Sequence, residues 1–282
     1  MRRYGIPYKG SKQAIADWVI DHLPPANTLV DLFCGGCAVT HAAMLSGKWE
    51  NFIANDIQPL APQLFMDSIH GKYTTTNEKR WISREDFFRL KDSDPYVKYC
   101  WSFGNDGATY MYGAEIEPLK KRLHELVFAE TVHDRITAWR AFVREYNRSR
   151  LQSLERLQSL ERLQSLERLQ RLEISSKDYR EVFIPLDSVI YCDIPYKCTA
   201  NNYGTKFDYD AFIEWACYQY VPVIISEYNI PDDRFTELAS IEKIQISQGA
   251  AHQKKVQERL YVPKRQLEEI RAKLQTQTQM EL

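Results

Sequence analysis

The run Val189-Ile-Tyr-Cys-Asp-Ile-Pro-Tyr-Lys197 ends an apolar strand in Asp193, Ile194, Pro195 and Tyr196. A carboxylate, a backbone carbonyl, a rigid proline turn and an aromatic ring can together hold a flat heterocycle that bears an exocyclic amine. The two acceptors take the N–H bonds of that amine and draw it toward tetrahedral geometry, which frees its lone pair to attack an electrophile. The ring stacks on the base. A second constellation lies near the N-terminus, in Asp31-Leu-Phe-Cys-Gly-Gly-Cys37. Gly35 and Gly36 let the backbone approach a ligand closely, and the helix behind them offers free N–H groups. Asp56 follows about 20 residues later, where an acid can accept hydrogen bonds from both hydroxyls of a ribose. The turn lacks the third glycine of a dinucleotide site, which fits a nucleoside cofactor without a pyrophosphate.

These residues need elements to carry them. Helical periodicity runs from Gln13 to Leu23 and stops at Pro24-Pro25. Thr28–Phe33 reads as a strand, Ala38–Leu45 as a helix, and Asn51–Ala54 as a second strand ending at Asn55-Asp56. Strand, glycine turn, helix, strand, acid is the opening of a nucleotide-binding α/β fold. The pattern lapses after residue 57 and resumes at Ser188–Cys192 and Val221–Ser226, so an insert within one α/β domain explains the order. The insert contains a Gly-rich aromatic segment, Trp101 to Gly113.

Composition sets the class. With 282 residues, 44% hydrophobic and 27% charged, the chain can bury a sizeable core as a globular protein. No apolar stretch is long enough for a bilayer span and the start lacks a signal-like core, so a cytoplasmic place is expected. Six cysteines then read as thiols, and Cys34 and Cys37 have no matching half-site for zinc, so no metal is expected. A net charge of −1 gives no global sign of nucleic acid, but from Lys72 to Arg150 there are 15 Lys and Arg against 12 Asp and Glu. That excess ends in Arg140, Arg144, Arg148 and Arg150, and suits phosphate contacts as well as a solvated helix face.

Asp31-Leu-Phe-Cys-Gly-Gly-Cys-Ala-Val39, Ala54-Asn-Asp-Ile57 and Asp193-Ile-Pro-Tyr196 together resemble the Dam-type (D12 class) adenine-N6 DNA methyltransferases, including those of phages. Pro7-Tyr-Lys-Gly-Ser-Lys12 resembles the aromatic-x-Gly-x-Lys motif of that family, and Val223–Asn229 and Glu258–Val262 resemble its later strands. The resemblance covers most of residues 4–57 and 172–262. It implies a Rossmann-like methyltransferase fold with a mostly parallel seven-stranded sheet, S-adenosyl-L-methionine as cofactor and double-stranded DNA as partner. The implied cofactor residues are Tyr8, Lys12, Asp31, Phe33, Gly35, Gly36, Asp56, Asp178 and Tyr179. Of these, Tyr8 would enclose the cofactor, Lys12 would neutralise its methionine carboxylate, and Asp178 would receive its adenine amino group. Asp193, the carbonyl of Ile194, Pro195 and Tyr196 would act on a flipped-out adenine. Asn105, Arg148 and Arg150 are the candidates for DNA contact.

One letter departs from the family pattern. Ile194 stands where the usual DPPY has Pro, yet it supplies the same backbone carbonyl, and the second Pro is kept. An active enzyme is expected. The same four residues serve cytosine-N4 transfer, and related sites act on RNA or glutamine; a degenerate, DNA-binding relative is the other alternative.

The expected organisation is a catalytic domain over 1–57 and 172–265, an inserted and mainly helical target-recognition region over 58–150, a spacer helix over 151–171 and a polar tail over 266–282. A monomer is expected. The spacer contains three identical copies of LQSLER from Leu151 to Arg168. All its residues are good helix formers. Leucine recurs every third residue, so in an α-helix the leucines turn by about 120° per hexamer and form a spiral. Only a 3₁₀ helix would align them, and long ones are uncommon. A spacer whose copies touch different neighbours is the resulting expectation, with tolerance to loss of one copy.

Overall fold

A computed structural model describes residues 4–129, 131–133, 135–136, 139–140, 151–169, 171–195, 207–246 and 253–280. Seven strands form one sheet: β1 (Thr28–Asp31), β2 (Asn51–Asn55), β3 (Leu172–Ser175), β4 (Ser188–Cys192), β5 (Val223–Glu227), β6 (Phe235–Ile246) and β7 (Gln253–Pro263). Their spatial order is β3-β2-β1-β4-β5-β7-β6. The first five pair in parallel, while β7 runs antiparallel to both β5 and β6.

The central strands are buried along their whole length, as parallel strands covered on both faces must be. Side chains alternate between the two faces. Val189 and Tyr191 join one apolar cluster with Val39, Ala42 and Phe65, whereas Ile190 and Cys192 join another with Phe212, Ile213 and Ala216. Helix α1 (Ala16–Asp21) and helix α2 (Ala38–Ser46) pack together beside β1. The expected helix from Gln13 therefore begins as a 3₁₀ turn, Lys12–Ala14, capped by the Ser11 hydroxyl.

The described residues between β2 and β3 include five α-helices: α3 (Leu60–Ile69), α4 (Arg84–Leu90), α5 (Pro95–Cys100), α6 (Glu117–Val127) and α7 (Gln152–Glu161). Ser83 caps α4 and Asp94 caps α5, with Pro95 in the first turn where its missing N–H is harmless. Helix α8 (Tyr209–Cys217) follows β4, and α9 (Leu267–Met280) follows β7.

The repeat departs from the expected spacer. After Glu161 the α-helix tightens into a 3₁₀ helix over Arg162–Leu169. In a 3₁₀ helix residues three apart eclipse, so the leucine spacing that spirals in an α-helix forms a stripe there. Leu163 and Leu166 are both buried, as are Leu157 and Leu160 before them, and the segment packs on α3. It is a wall of the core. The copies do touch different neighbours: Ser153 meets the Tyr112 hydroxyl, Arg156 the carbonyls of Cys100 and Ser102, and Glu161 the backbone and hydroxyl of Thr75.

Candidate functional site

The strand order changes direction between β1 and β4, and the candidate residues gather at the carboxyl ends of β1, β2 and β4. Open α/β sheets bind ligands at this switch point. Asp31 closes β1, Asp56 follows β2, and Asp193 follows β4.

The glycine turn is held from two sides. The Gly35 N–H donates to Asp56 Oδ2 at 2.9 Å, and Cys34 N–H donates to Asn55 O at 2.9 Å. Gly35 has φ +46°, in the left-handed region that favours glycine, and a methyl on Gly36 would lie 2.5 Å from Tyr8 Cβ. Tyr8 thus lies directly on the turn. Upstream, Ile6 N–H donates to Gly36 O at 2.9 Å and Gly5 N–H to His41 Nδ1 at 2.9 Å. These bonds lash the segment carrying Tyr8 and Lys12 to the turn.

The carboxylates differ in their settings. Asp31 is buried; its Oδ2 accepts from the Thr40 hydroxyl at 2.7 Å, and its Oδ1 has no hydrogen-bond partner among the described residues. Burial above all pushes the Asp31 carboxyl up to about 7. Burial likewise raises Asp56, against the bonds it accepts from Gln58 and Gly35. A buried, orphaned carboxylate oxygen beside a glycine turn suits a cationic ligand group.

Lys12 is buried and donates to Asp193, with Glu258 Oε1 3.6 Å from the same nitrogen. Burial pulls the Lys12 ammonium down, but the charges of Asp193 and Glu258 outweigh it and the net shift is upward. Within the chain the ammonium thus pairs with these two carboxylates. An ammonium out of water takes the nearest carboxylates, because an unpaired buried charge costs several kcal/mol, about 3–5 when a partner is removed. Glu258, on β7, is fully buried and accepts from the Ser226 hydroxyl at 2.7 Å. Neither Glu258 nor Ser226 stood out as a site residue in the sequence, where each reads as part of a strand.

Ile194 is buried, its side chain in the apolar cluster that also contains Val30, Leu32 and Phe212. The departure from Pro thus has a packing role. Phe33, Tyr179 and Phe212 form an aromatic group with ring centroids 5.4–5.6 Å apart. Asn55 ties this side together: its Nδ2 donates to Leu32 O and Lys177 O, and its Oδ1 accepts from Ser175 and the Lys177 N–H. Asp178 is ion-paired with Arg180 at 2.7 Å, which holds its carboxyl below the usual range. Its carboxylate is thereby engaged locally.

The Asn105 amide donates to Tyr99 O at 2.8 Å, which ties the turn to the end of α5. Much of the aromatic segment is core, since Trp101, Tyr110, Met111 and Tyr112 are buried, while Phe103 is 53% exposed. Tyr196, Arg148 and Arg150 lie outside the described residues. Among the described residues no three of His, Cys, Asp and Glu are grouped to hold a metal ion, and no helix is long and apolar enough to cross a membrane.

A seven-stranded sheet with one reversed strand, a glycine turn after β1 and acids after β1, β2 and β4 define a Rossmann-like methyltransferase. The residues from Tyr8 through α8 say which kind. The chain belongs to the D12 class N6 adenine-specific DNA methyltransferases, whose family model matches residues 8–215. It is an adenine-N6 DNA methyltransferase, and DNA is its substrate. The match takes in Lys12, the glycine turn and Asp193-Ile-Pro-Tyr196 and ends before β5, leaving Ser226 and Glu258 beyond it. Comparison with the curated proteins finds no match.

Proposed function

We propose that Asp193 and the Ile194 carbonyl accept the two N–H bonds of a flipped adenine amine, with Pro195 setting the turn and Tyr196 stacking on the base. The amine is a poor nucleophile while its lone pair is delocalised into the ring. Two acceptors aimed at its hydrogens draw the nitrogen out of the ring plane, and transfer is then made fast mainly by positioning. Lys12 holds the Asp193 carboxylate ionised and in place, and Glu258 balances the charge of the lysine. The single observation that carries this reading is the buried Lys12 ammonium between Asp193 and Glu258, at the carboxyl end of β4.

The residues around the glycine turn suit S-adenosyl-L-methionine. The orphaned Asp31 Oδ1 matches an ammonium, Asp56 has lone pairs left for ribose hydroxyls, and Tyr8, Phe33 and Tyr179 offer apolar surface. When bound, this cofactor supplies an electrophilic methyl group on a sulfonium. For Asp178 to receive an adenine amino group, Arg180 must share its carboxylate. Duplex DNA is taken to meet the exposed Phe103 side of the 103–113 segment, and Arg148 and Arg150 are proposed phosphate contacts.

Incubation of the purified protein with duplex DNA and the cofactor, followed by mass spectrometry of the nucleosides, tests the reading. N6-methyladenine without N4-methylcytosine is expected. Cofactor binding with no methylated base in any adenine-containing duplex would overturn it.

A further inference from the structure

Arg156 ends the first copy of the hexamer, and Arg162, in the same place in the next copy, is exposed. Yet Arg156 is half-buried, and its Nη1 donates to Cys100 O at 2.7 Å and Ser102 O at 2.8 Å. Cys100 ends α5, so the guanidinium sits on a helix C-terminus, where a cation is favoured and the last carbonyls need donors. Ser102 begins the turn that carries the exposed Phe103.

From Ser102 the bonds run onward. Ser102 Oγ accepts from the Gly107 N–H at 3.0 Å, and Phe103 N–H donates to Thr109 O at 2.7 Å. The Asn105 amide returns to Tyr99 O, and Lys9 N–H donates to Asn105 O at 3.3 Å. The Tyr99 ring lies 5.4 Å from the Tyr8 ring, which covers Gly35 and Gly36. One guanidinium therefore anchors the base of a turn whose other edge touches the glycine-turn side of the site.

We propose that Arg156 is a positioning residue for the DNA substrate: it fixes the Ser102–Tyr110 turn at the mouth of the site, and this is the task of the first LQSLER copy. The inference rests on the reading that the Phe103 side of this turn meets DNA. A purely structural arginine would change stability alone, whereas this role changes the Michaelis constant for DNA with kcat nearly kept.

The test compares four single substitutions in the full chain by steady-state methylation of a duplex, cofactor titration and thermal melting. Arg156→Met keeps the aliphatic stem and removes the donors; it should raise the DNA KM roughly tenfold, the scale of a lost charged hydrogen bond, with cofactor affinity near parental. Arg156→Lys returns a donor and should recover part of the loss, and it serves as the measured variant if Arg156→Met does not fold. Arg162→Ala, the same letter one copy later, should match the parent. A DNA KM within about twofold of the parent for both Arg156 variants, beside a raised one for Phe103→Ala, overturns the proposal and keeps the DNA-facing turn. Parental values for Phe103→Ala as well overturn both.

Discussion

At the scale of residues, the site depends on how buried charges are compensated. Glu258→Gln keeps the size of the side chain and an acceptor for the Ser226 hydroxyl but removes the negative charge beside Lys12. Facing that ammonium are Asp193, Glu258 and Tyr228, and burial opposes their upward pull. With one carboxylate gone, Lys12 should titrate lower. The expected result is a kcat reduced roughly tenfold, about 1.4 kcal/mol, with a new alkaline limb in the pH–rate profile. An unaltered profile would detach Glu258 from the chemistry. A second residue effect comes from His41, whose buried ring accepts from Gly5 and is pushed by burial down to about 4 from an ordinary 6.5. Between those values the unfolded chain takes up a proton that the folded chain resists, so stability is full above about pH 6.5 and falls toward pH 4. Asp31, raised to about 7, pulls the other way over the same window, so the His41 contribution, on the order of 3 kcal/mol, is read as the difference in the pH dependence of urea unfolding between the parent and His41→Asn. Asp193, Lys12 and the glycines could be picked out in the sequence because each sits in a short local motif. The Lys12–Glu258 contact could not, because it joins the first segment to the last strand and only the assembled sheet brings them together.

Among the elements, the strands were the most legible. Ser188–Cys192 is a strand over the expected residues, and Thr28–Asp31 and Asn51–Asn55 differ from expectation only at their ends. Continuous β-branched runs between turn residues leave little else for these segments to form. The repeat was less legible, since identical hexamers adopt two helix types depending on what lies beside them. Local propensity is the same in every copy, so tertiary contact with α3 decides where the α-helix tightens. Leu160→Ala, at a fully buried position, should cost about 2–5 kcal/mol. Leu154→Ala, half-buried in the copy before, should cost less, and chemical denaturation of the two variants measures the difference. Loss of one hexamer should lower the melting temperature, because it removes core leucines along with a solvent-facing strip.

For the whole molecule, the sheet brings together residues that come from both ends of the chain. Lys12 and Asp31 enter before the helical insert, Asp193 and Glu258 after it; β1 lies beside β4, β4 beside β5 and β5 beside β7, and this order brings the late residues to the early ones. Net charge, at −1, says little about the DNA substrate, which the family match establishes. The central claim is that Asp193 acts on the amine of the target base and not on the cofactor. Asp193→Ala tests it most directly in a paired measurement of S-adenosyl-L-methionine affinity by calorimetry and single-turnover methylation of duplex DNA. The account predicts cofactor affinity within about tenfold of the parent and methylation reduced by at least roughly a hundredfold. Methylation at a near-parental rate in a folded Asp193→Ala protein would contradict it.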